Sequence, residues 1–396
     1  MPAEVDRSSA PASKTKFWND PDKRAIIFQV LIVALIVSFV AHIVGNALTN
    51  LETRGITTGF GFLNQSAGFD ILQTLVPYDA TYTFGRTFIV GLLNTLLVAF
   101  LGVILATALG FILGVARLSN NWLISKVAMC YVETFRNIPL LLQIFFWYTA
   151  VLGQLPLPKQ SFEFGSAFLN KRGLYVPSAI LESGFWVVTV AIALAIGICI
   201  YLSRWNHKRQ DETGQQFPVL FASLGVLIVL PLVAFFLAGS PLSWDLPVLK
   251  GFNFKGGTVI IPELMALLIA LTIYTAAFIA EIVRSGILAV SHGQTEASHA
   301  LGVSNGRTLQ LVVIPQSLRV IIPPLTSQYL NLIKNSSLAT AIGYPDLVSV
   351  FMGTTLNQTG QAIEIIFMTM GVYLTVSLLV SMFMNWYNSR MALVER

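Results

Sequence analysis

The sequence predicts an all-α polytopic membrane protein with about eight spanning helices, and three observations point there. Of its 396 residues, 55% are hydrophobic and only 11% are charged, whereas soluble domains carry about 25% charged residues. Apolar runs long enough for a hydrocarbon core about 30 Å thick recur near 25–48, 87–116, 124–153, 181–203, 217–239, 262–283, 318–342 and 363–387. The basic residues are also sorted by the loops between those runs. With the amino terminus inside, fifteen Lys and Arg fall on cytoplasmic segments and seven outside, and the remaining two, Arg136 and Lys334, lie within spans. That positive-inside bias puts both termini in the cytoplasm. It also accounts for the net charge of +5 without any nucleic acid.

Residues 1–24, rich in Ser, Ala, Pro and Lys, read as a poorly ordered cytoplasmic tail. The first apolar run follows Lys14, Lys16, Lys23 and Arg24, as in a secretory leader. It far exceeds a leader's apolar stretch of about 7–15 residues, and no small-x-small cleavage site follows, so it is expected to stay as an anchor. Residues 25–86 are therefore an anchor plus an outer segment with Gly55, Gly59, Gly61 and Gly68 that is expected to cover the membrane domain. The remaining spans run over 87–387, two of them within the stretch 155–261, and 388–396 form a short cytoplasmic end. Two crossings within that stretch leave the downstream orientation unchanged.

Catalytic chemistry finds no support in the residues. His42, His207, His292 and His299 lack metal-ligand spacing, and no Ser/His/Asp or Cys/His arrangement is present. Cys130 and Cys199 fall in spans, where a thiol behaves as a small apolar group. A phosphate-cradling Gly-x4-Gly-Lys-Ser/Thr loop is also missing. The nearest run, Gly302 to Thr308, has the wrong spacing and no lysine. Any ATP hydrolysis belongs to another polypeptide.

The most informative stretch is a polar hairpin at 288–316 between two membrane-length runs. Ser291 and Gln294 have capping-box spacing, so a short helix is expected through Glu296, Ala297 and Leu301 and ends at a left-handed Gly302. Ser304 then starts a second short helix carrying Leu309, Val312 and Val313. It is expected to stop before Pro315, because a residue preceding proline is pushed out of the helical region. Two short helices at an angle would form a dock for a soluble partner.

Three further blocks precede it: Gly91-Leu92-Leu93-Asn94-Thr95-Leu96, then Glu133-Thr134-Phe135-Arg136-Asn137-Ile138-Pro139, then Ala277-Phe278-Ile279-Ala280-Glu281-Ile282-Val283-Arg284-Ser285-Gly286-Ile287. In this order, and with the hairpin pattern Glu296-Ala297-x4-Gly302-x9-Val312-x-Ile314-Pro315, they resemble the polar amino acid subfamily of ATP-binding-cassette (ABC) importer permeases over roughly 87–387. The resemblance implies a type I ABC importer (MetI-like) permease domain over 87–387, with five core helices to which this chain adds one amino-terminal helix and two helices in an insertion at 155–261. The enlarged layout is similar to the first permease subunit of general L-amino acid or glutamate/glutamine/aspartate/asparagine importers. It implies that the hairpin is the coupling loop seated on an ATPase, with Glu296, Ala297, Gly302, Val303, Arg307, Ile314 and Pro315 at the contact. It further implies a second homologous permease subunit, an ABC ATPase dimer, a periplasmic amino acid-binding protein and an amino acid substrate, in a bacterial inner membrane. ATP and Mg would be used by the ATPase and no cofactor held by this chain. The alternative is an ion-coupled secondary transporter, which needs no large cytoplasmic dock and often shows inverted repeats; no such symmetry is visible.

Charged side chains within spans are costly, by about 2.5–3.5 kcal/mol on insertion scales, and normally face a partner or a wet cavity. Glu133 with Arg136, and Glu281 with Arg284, have the spacing of self-neutralising pairs and also suit a gate beside the path. Pro139 suits a kink. In the seventh span, Asn331, Lys334, Asn335 and Ser336 form a polar run, with Lys334 ~24 Å in at the helical rise. They can line the route with Arg136, Asn137, Gln143 and Glu281, or serve as interhelical hydrogen bonders. Gly110, Gly114, Gly197 and Gly286 read as packing glycines.

Overall fold

The computed structural model describes residues 21–391 except 54, 56, 57 and 216. Most of the expected 1–24 tail and residues 392–396 lie outside the described residues. Helix α1 (Pro21–Thr53) is followed by a loop with a short 3-10 turn, then α2 (Phe84–Ala116), α3 (Trp122–Asn137) and α4 (Leu140–Phe145). The insertion supplies α5 (Phe185–Thr213) and α6 (Val219–Leu237). After it come α7 (Pro262–Leu288), α8 (His292–Ala300), α9 (Asn305–Thr308), α10 (Ile314–Asn335), α11 (Leu356–Thr359) and α12 (Ala362–Met391). Seven helices among the described residues are long and apolar enough to cross a membrane, or eight if α3 and α4 with its extension count as one bent span.

The third expected span is broken. Helices α3 and α4 meet at 105°, where Ile138 is extended (ψ 126°) and Pro139 precedes α4. The proline does more than kink the chain, since it drives the preceding residue out of the helical region. The ends thus exposed are stitched by Gln143, which is buried and whose Nε2 donates to the carbonyls of Phe135 and Ile138, each at 3.0 Å.

Helix α7 is the hub. Of its most apolar window 56% is buried, against 28% for α2 and none for α1. Lipid offers no hydrophobic drive between helices, so close backbone approach must hold them. A Cβ at Gly110 would lie 2.6 Å from Ile279 Cβ, and one at Gly114 would lie 2.7 Å from Val283 Cβ. Gly286 is likewise pressed on Ile321 of α10, at 2.3 Å. Gly197 differs from expectation: a Cβ there would meet nothing within 4 Å.

The Gly91–Leu96 block proves to be a clasp. Asn94 Nδ2 donates to the carbonyls of Gln73 and Pro345, each at 2.9 Å, and Tyr344 Oη donates to the Asn94 carbonyl. Thr95 Oγ1 accepts from the Leu347 amide at 3.0 Å, and a Cβ at Gly91 would lie 2.9 Å from Leu347 Cα. The loop after α10 is thereby fixed to α2. In the outer segment, Phe62 and Ala67 are buried in one cluster with Phe84, Leu347, Phe351 and Ile365.

Strands were not expected, yet the insertion forms eight short ones. A four-stranded antiparallel sheet has the order β1 (Phe162–Phe164), β2 (Ala167–Asn170), β3 (Gly173–Val176), β8 (Thr258–Ile260). Two ribbons pair β4 (Ser178–Leu181) with β5 (Leu242–Asp245) and β6 (Val248–Lys250) with β7 (Asn253–Lys255). Each strand is three or four residues long, too short for an alternating apolar pattern to stand out beside the spans. Sheet and ribbons lie at the opposite end of α7 from the hairpin, since β8 leads into its first residue and α8 follows its last.

Overpacking a tight core typically costs about 1–3 kcal/mol. Gly110→Val is therefore expected to lower the thermal midpoint and yield of the purified protein, and Gly197→Ala to leave both unchanged. Size-exclusion recovery after heating in detergent checks the contrast; equal behaviour would contradict the close α2–α7 approach.

Candidate functional site

At the hairpin, α8 ends where the sequence places its stop. Gly302 is left-handed (φ 77°), and its amide donates to the His299 carbonyl at 2.9 Å while the Val303 amide donates to the Ser298 carbonyl at 3.1 Å. These are the two bonds of a Schellman motif. The two short helices are pinned by a 2.8 Å hydrogen bond between the buried Ser298 and Thr308 hydroxyls. Ser291 and Ser304 occupy the capping positions, but neither side chain makes a capping bond, so the capping-box expectation holds for position and not for contact.

The second helix does not stop before Pro315. Helix α9 passes through a π-helical turn, Leu309–Val313, directly into α10, with Ile314 helical (φ −59°, ψ −49°). Pro315 falls in the first turn of α10, where a missing N–H is tolerated. The hairpin is thus the continuous end of the seventh span. Glu296, Ala297, Arg307 and Ile314 are exposed and Val303 and Pro315 half-buried. Leu301, at the tip, is 83% exposed. Glu296 Oε1 lies 3.0 Å from His292 Nδ1.

Further along α7 lies a charge cluster that sequence spacing resolved only in part. Glu281 pairs with Arg284 at 2.8 Å, as expected, but also with Arg117 at the end of α2, and Arg136 Nη1 approaches to 4.0 Å. Glu133 makes no ion pair with Arg136; its carbonyl instead accepts from Asn137 Nδ2 at 2.7 Å. The helix break turns Arg136 towards α7, where its guanidinium stacks 5.3 Å from the Phe278 ring centroid. Three guanidiniums around one carboxylate leave the cluster net cationic.

Beside Phe278 opens a cleft of about 270 Å³, lined by Tyr274, Thr275 and Phe278 of α7 and by Gln328, Asn331 and Asn335 of α10. Tyr274, Phe278 and Glu281 follow one helical stripe, as do Gln328, Asn331 and Asn335. Both stripes face the same gap. The expected polar run therefore divides. Asn331 and Asn335 line this cleft, whereas Lys334 lines a separate groove of about 330 Å³ with Ser337, Thr369 and Tyr373. Ser336 is buried and donates to the Ile333 carbonyl at 2.7 Å. Adjacent helix positions differ by about 100°, so four polar neighbours cannot share one wall. Gln143 belongs to the helix break, and Asn137 is exposed at the end of α3. Tyr274, Phe278 and Gln328 were missed, although their three- and four-residue spacing to Glu281 and Asn331 is visible in the sequence.

Residues 194–393 match the family described as binding-protein-dependent transport system inner membrane component. YhdX of Escherichia coli (strain K12), which carries an amino-acid ABC transporter permease name, is 56% identical over 98% of this chain and 99% of its own length. The general L-amino acid transport system permease protein AapQ of Rhizobium johnstonii is 51% identical over 95% of this chain and 94% of its own. The glutamate/glutamine/aspartate/asparagine transport system permease protein BztB of Rhodobacter capsulatus is 44% identical over 94% and 95%. A match over 98% of the chain includes the inserted helices, so the enlarged layout is shared. The chain belongs to the family of binding-protein-dependent transport system inner membrane components.

Proposed function

We propose that this chain is the transmembrane permease subunit of an ATP-driven, binding-protein-dependent amino acid importer, forming half of the translocation pathway. The carrying observation is the hairpin: a Gly302-ended helix pair whose outward residues, Leu301 above all, meet no partner surface among the described residues. Such an exposed apolar tip on a polar mount fits a groove on an ATPase subunit. In this reading Glu296, Ala297, Gly302, Val303, Arg307, Ile314 and Pro315 form or support the contact. One hairpin per chain, against a pair of ATPase subunits, calls for a second, related permease. ATP and Mg are handled by the ATPase, and this chain is non-catalytic. The sorting of the basic residues favours a cytoplasmic hairpin and cytoplasmic termini at an inner membrane, with the strand-rich end turned to a periplasmic binding protein.

The route through the membrane runs along the cleft between α7 and α10. Asn331 and Asn335 offer amide donors and acceptors, and the cationic cluster of Arg117, Arg136 and Arg284 around Glu281 stands where that cleft approaches the cytoplasmic half. Rocking of the subunits would change which guanidinium Glu281 holds. Lys334 and Ser336 serve α10 and its contact with α12 instead.

Reconstitution with the cognate ATPase, second permease and binding protein is expected to give uptake of L-amino acids that requires ATP and persists without ion gradients. Uptake driven by a proton or sodium gradient alone would overturn this reading in favour of a secondary transporter.

Gly302→Val is expected to uncouple hydrolysis from uptake or weaken ATPase association. No atom lies within 4 Å of the added Cβ, so the effect acts through the left-handed backbone, which costs a β-carbon residue roughly 1–2 kcal/mol. Gly302→Asn, which tolerates that conformation, is expected to retain most coupling. ATPase co-purification and uptake per ATP check this; wild-type values for Gly302→Val would remove the turn's role.

A further inference from the structure

A cleft of about 680 Å³ lies between the inserted sheet and the outer ends of the core helices, and it shares no lining residue with the α7–α10 cleft. Its size is that of a small-molecule site. One wall comes from the insertion: Lys171, Arg172, Tyr175 and Asn253. The other comes from the core: Tyr148, in the continuation of α4, and Glu263, in the first turn of α7.

The cationic side is constructed rather than incidental. Lys171 and Arg172 are the two-residue loop of the β2–β3 hairpin, since Asn170 pairs with Gly173. Asn170 is fully buried, its Oδ1 accepts from the Arg172 amide at 2.9 Å, and its Nδ2 donates to Ser161 Oγ at 3.0 Å. Gly173 (φ 131°) lets the loop lie against β8: a Cβ there would fall 2.5 Å from the Ile260 carbonyl oxygen. The guanidinium is aimed by a 3.2 Å bond from Arg172 Nη1 to the Phe252 carbonyl.

The same strand pairing sets the opposite charge nearby. Leu174 pairs with Ile260, and β8 passes within three residues into Glu263, whose Oε1 accepts from Tyr148 Oη at 2.9 Å. Tyr175 Oη donates to Asn253 Oδ1 at 2.9 Å, and burial raises its pKa, so it stays a neutral donor. Two cations and one carboxylate, separated by aromatic and apolar wall, match a ligand that carries both charges on a short frame. A simple anion would meet Glu263, and a simple amine would meet Lys171 and Arg172.

We propose that the insertion and the core together form an outer vestibule that binds the zwitterionic α-amino acid head group, with Lys171 and Arg172 on its carboxylate and Glu263 on its ammonium. The vestibule holds substrate released by the binding protein before it enters the α7–α10 cleft. This inference rests on the amino acid import reading, and it gives the 155–261 insertion a role in transport.

The test places a reporter cysteine at Gln154, which lines this cleft, in a background with Cys130→Ala and Cys199→Ala. Labelling of the assembled complex by a hydrophilic maleimide from the outer side is followed with and without L-glutamine, in the absence of binding protein. L-Glutamine at 10 mM scale, about the range for a weak transit site, is expected to slow labelling about threefold or more (a change of ~0.6 kcal/mol by the tenfold-per-1.4 kcal/mol rule). N-acetyl-glutamine and glutamine amide, each lacking one charge, are expected to protect far less. Lys171→Gln with Arg172→Gln, and separately Glu263→Gln, are expected to abolish protection; Lys171 and Arg172 are exposed, so that double variant keeps the fold. Uptake of L-glutamine by the same preparation without any protection, or equal protection by the singly charged analogues, overturns the vestibule. Absence of ATP-driven uptake of any amino acid overturns the import reading itself.

Discussion

The rest of the structure depends on the approach of α2 to α7 over Gly110 and Gly114, where the α2 backbone closes on the Ile279 and Val283 side chains with no side chain of its own in between. Because lipid provides no drive for association, this fit does the work that a hydrophobic core does in water. It also sets the electrostatics. Arg117 follows Gly114 by three residues, so the same contact that seats Gly114 on Val283 carries the guanidinium to Glu281. The face of α7 turned away from α2 is then free to present Tyr274 and Phe278 to α10.

Each end of α7 carries a different device. At one end the chain turns through a Schellman motif and returns as a π-helical turn that continues into α10. Force on the hairpin thus passes into the helix bearing Asn331 and Asn335 without crossing a loop. At the other end β8 feeds the first turn of α7, so the inserted sheet is joined by covalent chain to the same helix. A single helix, α7, therefore connects the outer cleft, the charge cluster and the hairpin.

Helix existence was legible in the sequence because a spanning run announces itself by length and apolarity alone. Gly302 was legible too, since only a left-handed residue suits that turn. Three features were not. The break at Pro139 reads as a kink because proline alone does not say whether the freed carbonyls find a partner, and Gln143 supplies it from a neighbouring helix. Pro315 reads as a stop because the preceding π-helical turn, which accommodates it, has no local signature. Arg117 reads as a solvated cytoplasmic charge because its partner, Glu281, is 164 residues away. Beside these three, the short strands escaped for want of length. For Arg117 the deciding contact is tertiary.

The most direct measurement of this account is a double-mutant cycle between Arg117→Met and Glu281→Gln, read as the thermal stability of the purified complex. Side chains that share one ion-pair network show coupling of about 0.5–3 kcal/mol. The expected result is that the double variant loses clearly less stability than the two single losses combined, since Arg117 has its carboxylate partner only while Glu281 is present. Strict additivity would contradict the account, because it would mean that the α2–α7 contact does not bring these two charges together.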